Sequence, residues 1–247
     1  MINSIRLELL KLRTTPALYV TVASAFALSL LSASVTIMLK PNPGDLPRGS
    51  AAQVQHVLGQ PSAVVSMAMF ILGVLVVAGE YRHRTMLTVF LAEPRRLRVI
   101  VAKLVTVAGI GAALAAATYV VTYVVAEVLY ARNGVSHLAV DATRLGWGTV
   151  LSGATYGLLG VAVGALTRNT VAAIVAGLVW LQVVEVGILE NAFPALAKWL
   201  PAGAAQGLTS VDRSQFLPQA AAAAVLVAWA AGIVVIAGRV SIRRELR

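Results

Sequence analysis

Apolar residues fall in six runs long enough to cross a membrane, separated by short polar or basic stretches. A helix rising about 1.5 Å per residue needs about 20 apolar residues to traverse a hydrocarbon layer roughly 30 Å thick. Runs of that kind occupy residues 17–39, 62–79, 104–130, 145–166, 170–189 and 218–238. They are continuous and do not alternate every second residue, so they predict helices and not the strands of a β-barrel. The pattern describes an all-α integral membrane protein, a single transmembrane domain over residues 1–247 with both termini on one side. The first run exceeds the roughly 7 to 15 apolar residues of a cleavable signal and is expected to remain as an anchor. No convincing internal repeat relates residues 1–120 to residues 121–247.

Two polar segments carry a pattern of their own. In residues 1–15, Ile2, Ile5, Leu9 and Leu12 recur at helical spacing, with Arg6, Glu8, Lys11 and Arg13 between them. Such a segment can lie along the inner membrane surface as an amphipathic helix, with Pro16 turning the chain into the bilayer. A solvated basic leader that only fixes topology is the alternative. Between runs two and three, residues 79–103 read GEYRHRTMLTVFLAEPRRLRVIVAK, a basic island in which Met86, Leu87, Phe90 and Leu91 keep helical spacing ahead of Pro94. Positive loops resist translocation, which places this island in the cytoplasm. With the N-terminus inside, Lys40, Arg48, Arg132, Arg144, Lys198 and Arg213 fall outside, and the other fourteen of the twenty Lys and Arg residues fall inside.

Within the runs, Gly153, Gly157, Gly160 and Gly164 step by four, three and four along run four and share one helix face. Small residues on that spacing let a neighbouring backbone approach closely, so the stripe is a packing surface, within the chain or between subunits. Run three, with Gly109, Gly111 and many alanines, is a candidate to receive it. Glu127 lies near the outer end of run three, whereas Glu185 lies some 22 Å beyond Thr170 and therefore inside the apolar layer. Gln182 is one helical turn from it. A buried carboxylate costs a few kcal/mol unless paired, protonated or wet, so Gln182 and Glu185 are candidates for a pathway, with a structural hydrogen bond as the alternative. Outside run five, residues 190–217 are too apolar for a free loop. Pro194 and Pro201 bracket a short amphipathic piece, with Lys198 and Trp199, that fits either an outer interfacial helix or a re-entrant hairpin.

Composition narrows the function classes. With 59% hydrophobic and 12% charged residues and a mean hydropathy of +0.83, the chain has too little charge to cover one soluble core. The net charge of +10 sits mostly at the ends of apolar runs, which speaks for membrane topology and against nucleic acid. There is no Cys, hence no disulfide and no thiolate chemistry. His56, His83 and His137 are expected in three separate loops without paired carboxylates, a poor basis for a metal site. No G-x-x-x-x-G-K-[ST] loop, G-x-S-x-G elbow or H-E-x-x-H helix occurs, so neither ATP hydrolysis nor intramembrane hydrolysis is expected of this chain.

The basic amphipathic leader, six runs, the inner segment from Glu80, Tyr81, Arg82 and His83 through Pro94, Arg95 and Arg96 to Lys103, the GALTRNT string at run five and the outer Trp199, Leu200, Pro201 piece together resemble the type-2 family of ABC transporter permeases. Arg84 stands where that family would place a small residue, often Gly. The resemblance implies a transport subunit in the plasma or inner membrane that dimerises and binds a separate cytoplasmic ABC ATPase. ATP and Mg would be held by that partner and no cofactor by this chain. It also implies that residues 1–15 form an elbow helix, with Ile2, Ile5, Leu9 and Leu12 as its apolar face. The coupling element would lie between runs two and three, with Glu80, Tyr81, Arg82, Arg84, Met86, Leu87, Phe90, Leu91, Arg95 and Arg96 meeting the ATPase, and runs two and five would line the pathway. Export of a hydrophobic or amphiphilic substrate is the expected activity. An ion-coupled secondary transporter using Glu185, or a membrane anchor whose basic loop recruits partners or anionic lipid, is the competing expectation.

Overall fold

The computed structural model describes residues 2–39, 46–47, 49–82, 96–135, 140–210 and 216–244, and all regular structure among them is helical. In chain order the elements are α1 (Ile2–Arg13), α2 (Pro16–Met38), α3 (Ala51–Arg82), α4 (Arg96–Arg132), α5 (Ala142–Thr167) and α6 (Thr170–Leu178). The last continues without a break as a π-helix (Val179–Leu189) and a final turn (Glu190–Ala192). Two short helices follow, α7 (Pro194–Ala197) and α8 (Pro201–Thr209), and then α9 (Gln219–Arg244). Six of these helices are long and apolar enough to cross a membrane: α2, α3, α4, α5, α6 with its π continuation, and α9. The protein is thus a multi-pass membrane protein.

Two helices begin earlier than the apolar runs indicate. Helix α3 starts at Ala51, ahead of residue 62, and carries Pro61 inside it. Its first turns hold Gln53, Gln55, His56 and Gln60, which dilute any hydropathy window, yet Val54, Val57 and Leu58 share a face at helical spacing and are fully buried. They pack with Ala33 and Ile37 of α2 and Ala126 and Tyr130 of α4. His56 is consequently a helical residue and not a loop residue. Helix α4 likewise starts at Arg96, ahead of residue 104, because Val99, Ala102 and Lys103 are buried against the rest of the bundle.

Helix α5 is the central post. Its glycine stripe lies in a seam between α3 and α4: Gly153 opposes Gly111 and Ala115, Gly157 opposes Val107 and Met69, Gly160 meets the Phe70 carbonyl, and Gly164 lies on Val74 and Ala78. A Cβ on Gly111 would come within 2.5 Å of the Gly153 carbonyl, so the two backbones touch there. Gly109 has nothing within 4 Å of that position and plays no part in the seam. At the end of α5, Arg168 adopts a left-handed conformation (φ 53°), its N–H donates to the Gly164 carbonyl at 3.0 Å, and Asn169 caps α6 by accepting from the Ala172 N–H at 3.1 Å. GALTRNT is therefore the tight turn that reverses the chain between two spans. Helices α2, α6 and α9 form the outer faces, where residues such as Leu28, Val175 and Val227 are exposed.

Residues 190–210 turn back along the bundle: 191–196 stay exposed, whereas Ala197 and most of α8 are buried. The Trp229 indole N–H donates to the Trp199 carbonyl at 2.8 Å, and Trp229 stands ten residues, about 15 Å, along α9 from Gln219. Helix α8 then runs back along the bundle, burying Ala202, Ala204 and Leu208. Gln55 donates to the Thr209 carbonyl at 3.2 Å near the start of α3. Trp199 itself is 51% exposed, and its carbonyl rather than its ring is what α9 holds.

Candidate functional site

The first buried polar group lies at the end of the bundle where α1 meets α3 and α4. Helix α1 turns Ile5, Glu8 and Leu12 inward, with Glu8 5% and Leu12 6% exposed. Lys103 Nζ donates to Glu8 Oε2 at 3.0 Å and to Glu80 Oε1 at 2.8 Å. Lys11 Nζ donates to Glu8 Oε1 at 2.9 Å and reaches Glu80 Oε1 at 3.4 Å. Two lysines and two glutamates thus tie α1 to the last turn of α3 and the second turn of α4. Burial pushes the Glu8 carboxyl up, but Lys103 and Lys11 outweigh it and hold the group below its ordinary 4.5. Burial likewise lowers Lys11, and Glu8 and Glu80 more than reverse that, raising it above 10.5.

This cluster corrects the expected elbow. Leu9 points outward at 37% exposure, beside Leu7 and Leu10, while Glu8, assigned to the polar face, is the residue buried at the helix contact. The inward face runs 5, 8, 12, and the cost of placing a carboxylate there is offset by two ammonium groups. The outward leucines suit a helix lying on a membrane surface. Glu80, assigned to ATPase contact, turns its carboxylate inward to Lys103 and Lys11. Tyr81 and Arg82 complete α3, and Arg96 opens α4. Arg84, Met86, Leu87, Phe90, Leu91 and Arg95 lie outside the described residues. Sequence reasoning missed the pairing of Glu8 with Lys103; the available signal was an acid in a basic leader and a lysine inside an apolar helix.

The second group surrounds Glu185, which is 2% exposed and faces the bundle. Its Oε2 accepts from the Ala202 N–H at 2.8 Å, in the first turn of α8, where the unsatisfied amides and the helix dipole favour a negative group. Glu185 thereby ties the start of α8 to the π-helix. It sits in the π-helix, whose bonds close over five residues, as the Glu190 N–H to Glu185 carbonyl bond shows. The wider turn rotates Gln182 off the face that an α-helix would have shared with Glu185, and Gln182 is exposed. Near the C-terminal end of α4, Glu127 accepts from the Tyr123 hydroxyl at 3.0 Å.

Gln182 instead lines a cavity of about 510 Å³ between α3, α5, the π-helix and α8. Gln55, Gln60, Ser66, Tyr156 and Gln206 are also in its wall. Among the described residues, no group of His, Asp and Glu could hold a metal ion.

Residues 4–183, from α1 into the π-helix, match the model of the ABC-2 family transporter proteins. That stretch is well over half of the chain, and the protein belongs to this family of membrane transport proteins. No curated protein and no solved structure matches the chain.

Proposed function

We propose that this ABC-2 family member is the transmembrane permease subunit of an ATP-driven exporter of hydrophobic or amphiphilic molecules. In this reading two permease chains, identical or related, enclose the pathway in the plasma or inner membrane, with both termini in the cytoplasm. A separate cytoplasmic ABC ATPase binds ATP and Mg and docks on residues 81–98. The closing of the ATPase would shift the permease between inward and outward openings, a population change driven by differential nucleotide binding.

The observation that supports coupling is the charged cluster. Lys103 and Glu80 stand on either side of the proposed docking segment, and both hold Glu8 or Lys11 of α1. Movement of residues 83–95 would therefore carry the ends of α3 and α4 and the elbow together. The competing ion-coupled mechanism draws less support, since Glu185 already serves as the anchor for α8.

The test is Phe90→Ala, which removes an aromatic anchor and leaves every charge in place. It should weaken ATPase binding by about 2 kcal/mol, roughly 30-fold. Unchanged co-purification and turnover for an alanine block from Met86 to Leu91 would defeat the docking assignment.

A further inference from the structure

We infer that Glu190 is a positioning residue: together with Glu185 it fastens the continuation of α6 to α8 in the π register, and that register sets which of its side chains line the cavity. Its importance for transport rests on the permease reading above; the register itself does not.

The two carboxylates are linked through their own backbone, since the Glu190 N–H donates to the Glu185 carbonyl, five residues back. In an α-helix, at about 100° per residue, positions five apart point roughly 140° away from each other, so two such side chains do not face the same neighbouring helix. A bond ladder that closes over five residues brings them to adjacent places on one side. Both then meet α8. Glu185 Oε2 accepts from the Ala202 N–H at 2.8 Å, and Glu190 Oε2 accepts from the Gln206 side-chain amide at 2.9 Å. Ala202 and Gln206 are four residues apart on α8, about one α-helical turn. One turn of the π-helix is thus matched, bond for bond, to one turn of α8.

The segment itself does not select that register. VWLQVVEVGIL is apolar apart from Gln182, Glu185 and Gly187, holds no proline, and continues an ordinary α-helix capped by Asn169. An uncommon backbone of this kind persists where its surroundings determine it, and two hydrogen bonds to carboxylates are strong enough to do so. The register has a consequence for the cavity. Leu181 and Glu185 are buried toward the bundle, whereas Gln182 and Val186 stand in the cavity wall beside Ala202, Ala205 and Gln206. Rewinding as an α-helix about a fixed Glu185 would carry Gln182 from that wall toward the face that holds Glu185. Glu190 therefore acts on the cavity through the register and through Gln206.

The test uses the full chain in lipid nanodiscs without any ATPase. Nitroxides are attached to cysteines replacing Val183 and Ile188, each 53% exposed and five residues apart. In the π register the two labels stand on one side of the helix and broaden each other's continuous-wave spectrum in the frozen sample; in an α-helix they stand about 140° apart and interact far less. Strong broadening is expected in the parent chain. Glu190→Leu and Gln206→Leu each delete the same bond and should shift the register roughly ten-fold toward the α form. Glu190→Gln keeps an oxygen for the Gln206 amide and should retain the broadening, which a merely space-filling role for Glu190 would not distinguish from leucine. A second label pair, on cysteines replacing Met67 and Gln182 in the cavity wall, should move apart in the leucine variants alone. Should Glu190→Leu fail to fold, Gln206→Leu leaves both carboxylates in place and decides the matter. Weak broadening in the parent chain overturns the proposal. So does broadening that persists in either folded leucine variant, which would assign the register to the short connection through residues 193–200. None of these results depends on ATP, so a failure here leaves the ATPase reading standing, and a failure of the ATPase to co-purify leaves the register standing.

Discussion

Replacing Lys103 by Met tests whether α1 is held by charge. The Lys103 side chain is 6% exposed and donates at 2.8 Å and 3.0 Å to two carboxylates on different helices. Removing one partner from a buried ion pair typically costs about 3 to 5 kcal/mol because the other charge is stranded. Here the loss is smaller: Glu8 keeps Lys11 at 2.9 Å, and the Glu80 side chain retains 14% exposure and a longer contact with Lys11. A loss of about 2 to 3 kcal/mol follows, from charge-assisted hydrogen bonds at roughly 1.5 to 3 kcal/mol each less the compensation by Lys11. If α1 opens locally, its amide hydrogen exchange should accelerate by roughly 30- to 150-fold. The assay is hydrogen exchange of residues 4–13 in nanodiscs, with exchange in α5 as the internal reference. Adding Glu8→Leu should restore part of the protection, since an apolar pair can replace a buried ionic one at little cost. Exchange in α1 within two-fold of wild type would refute the reasoning, as would equal acceleration in α5.

The same cluster has a defined pH response: Glu8 is depressed, so its contribution holds above 4.5 and is lost as pH falls through its lower folded value. Lys11 is raised, so its contribution holds below 10.5 and is lost only above that; protection of α1, corrected for intrinsic exchange, should therefore be flat across neutral pH. Gly160→Ala forces a Cβ into the Phe70 carbonyl and should destabilise by about 1 to 3 kcal/mol, whereas Gly109→Ala, with open space around it, should be neutral or slightly stabilising in a detergent melt. Glu185→Gln keeps an oxygen for the Ala202 N–H and should preserve assembly, while Glu185→Leu strands that donor at about 1 to 3 kcal/mol; equal melting of the two would show that the contact does not hold α8. Cysteine labels at Asn3, Arg95 and Arg244 should react from the cytoplasm alone and labels at Asn42 and Asp212 from outside alone, as the charge bias requires, and external labelling at position 95 in intact cells would overturn the orientation.

The spans were legible because continuous apolarity over about 20 residues has few other uses. Their ends were not. The first turns of α3 and α4 mix glutamine, arginine and lysine with buried valines, and only tertiary packing reveals that the mixed stretch is helix. The glycine stripe of α5 was readable as a packing face, yet its partner was only half readable: Gly109 and Gly111 stand two residues apart, roughly 200° around a helix, so only one can face the seam. Glu185 stood out as a carboxylate in an apolar run, but its relation to Gln182 assumed an α-helix, and nothing in VWLQVVEVGIL announces the π register that separates them. The cavity was invisible in one dimension. Gln55, Gln60 and Ser66 belong to α3, Gln206 to α8 and Gln182 to the π-helix, and only the packing of α8 against α3 and the π-helix brings them together.

The central claim is that a separate ATPase drives this permease from the segment between α3 and α4. Its most direct test is solubilisation of the tagged protein from the membranes of its native host, followed by measurement of Mg-dependent ATP hydrolysis in the purified complex, alongside the alanine block from Met86 to Leu91. The account predicts that wild-type protein retains a soluble ABC ATPase and its turnover, and that the block, inserted normally, loses both. A wild-type protein that carries no ATPase under conditions where it is folded and active, or a block that keeps the full complement, would contradict it.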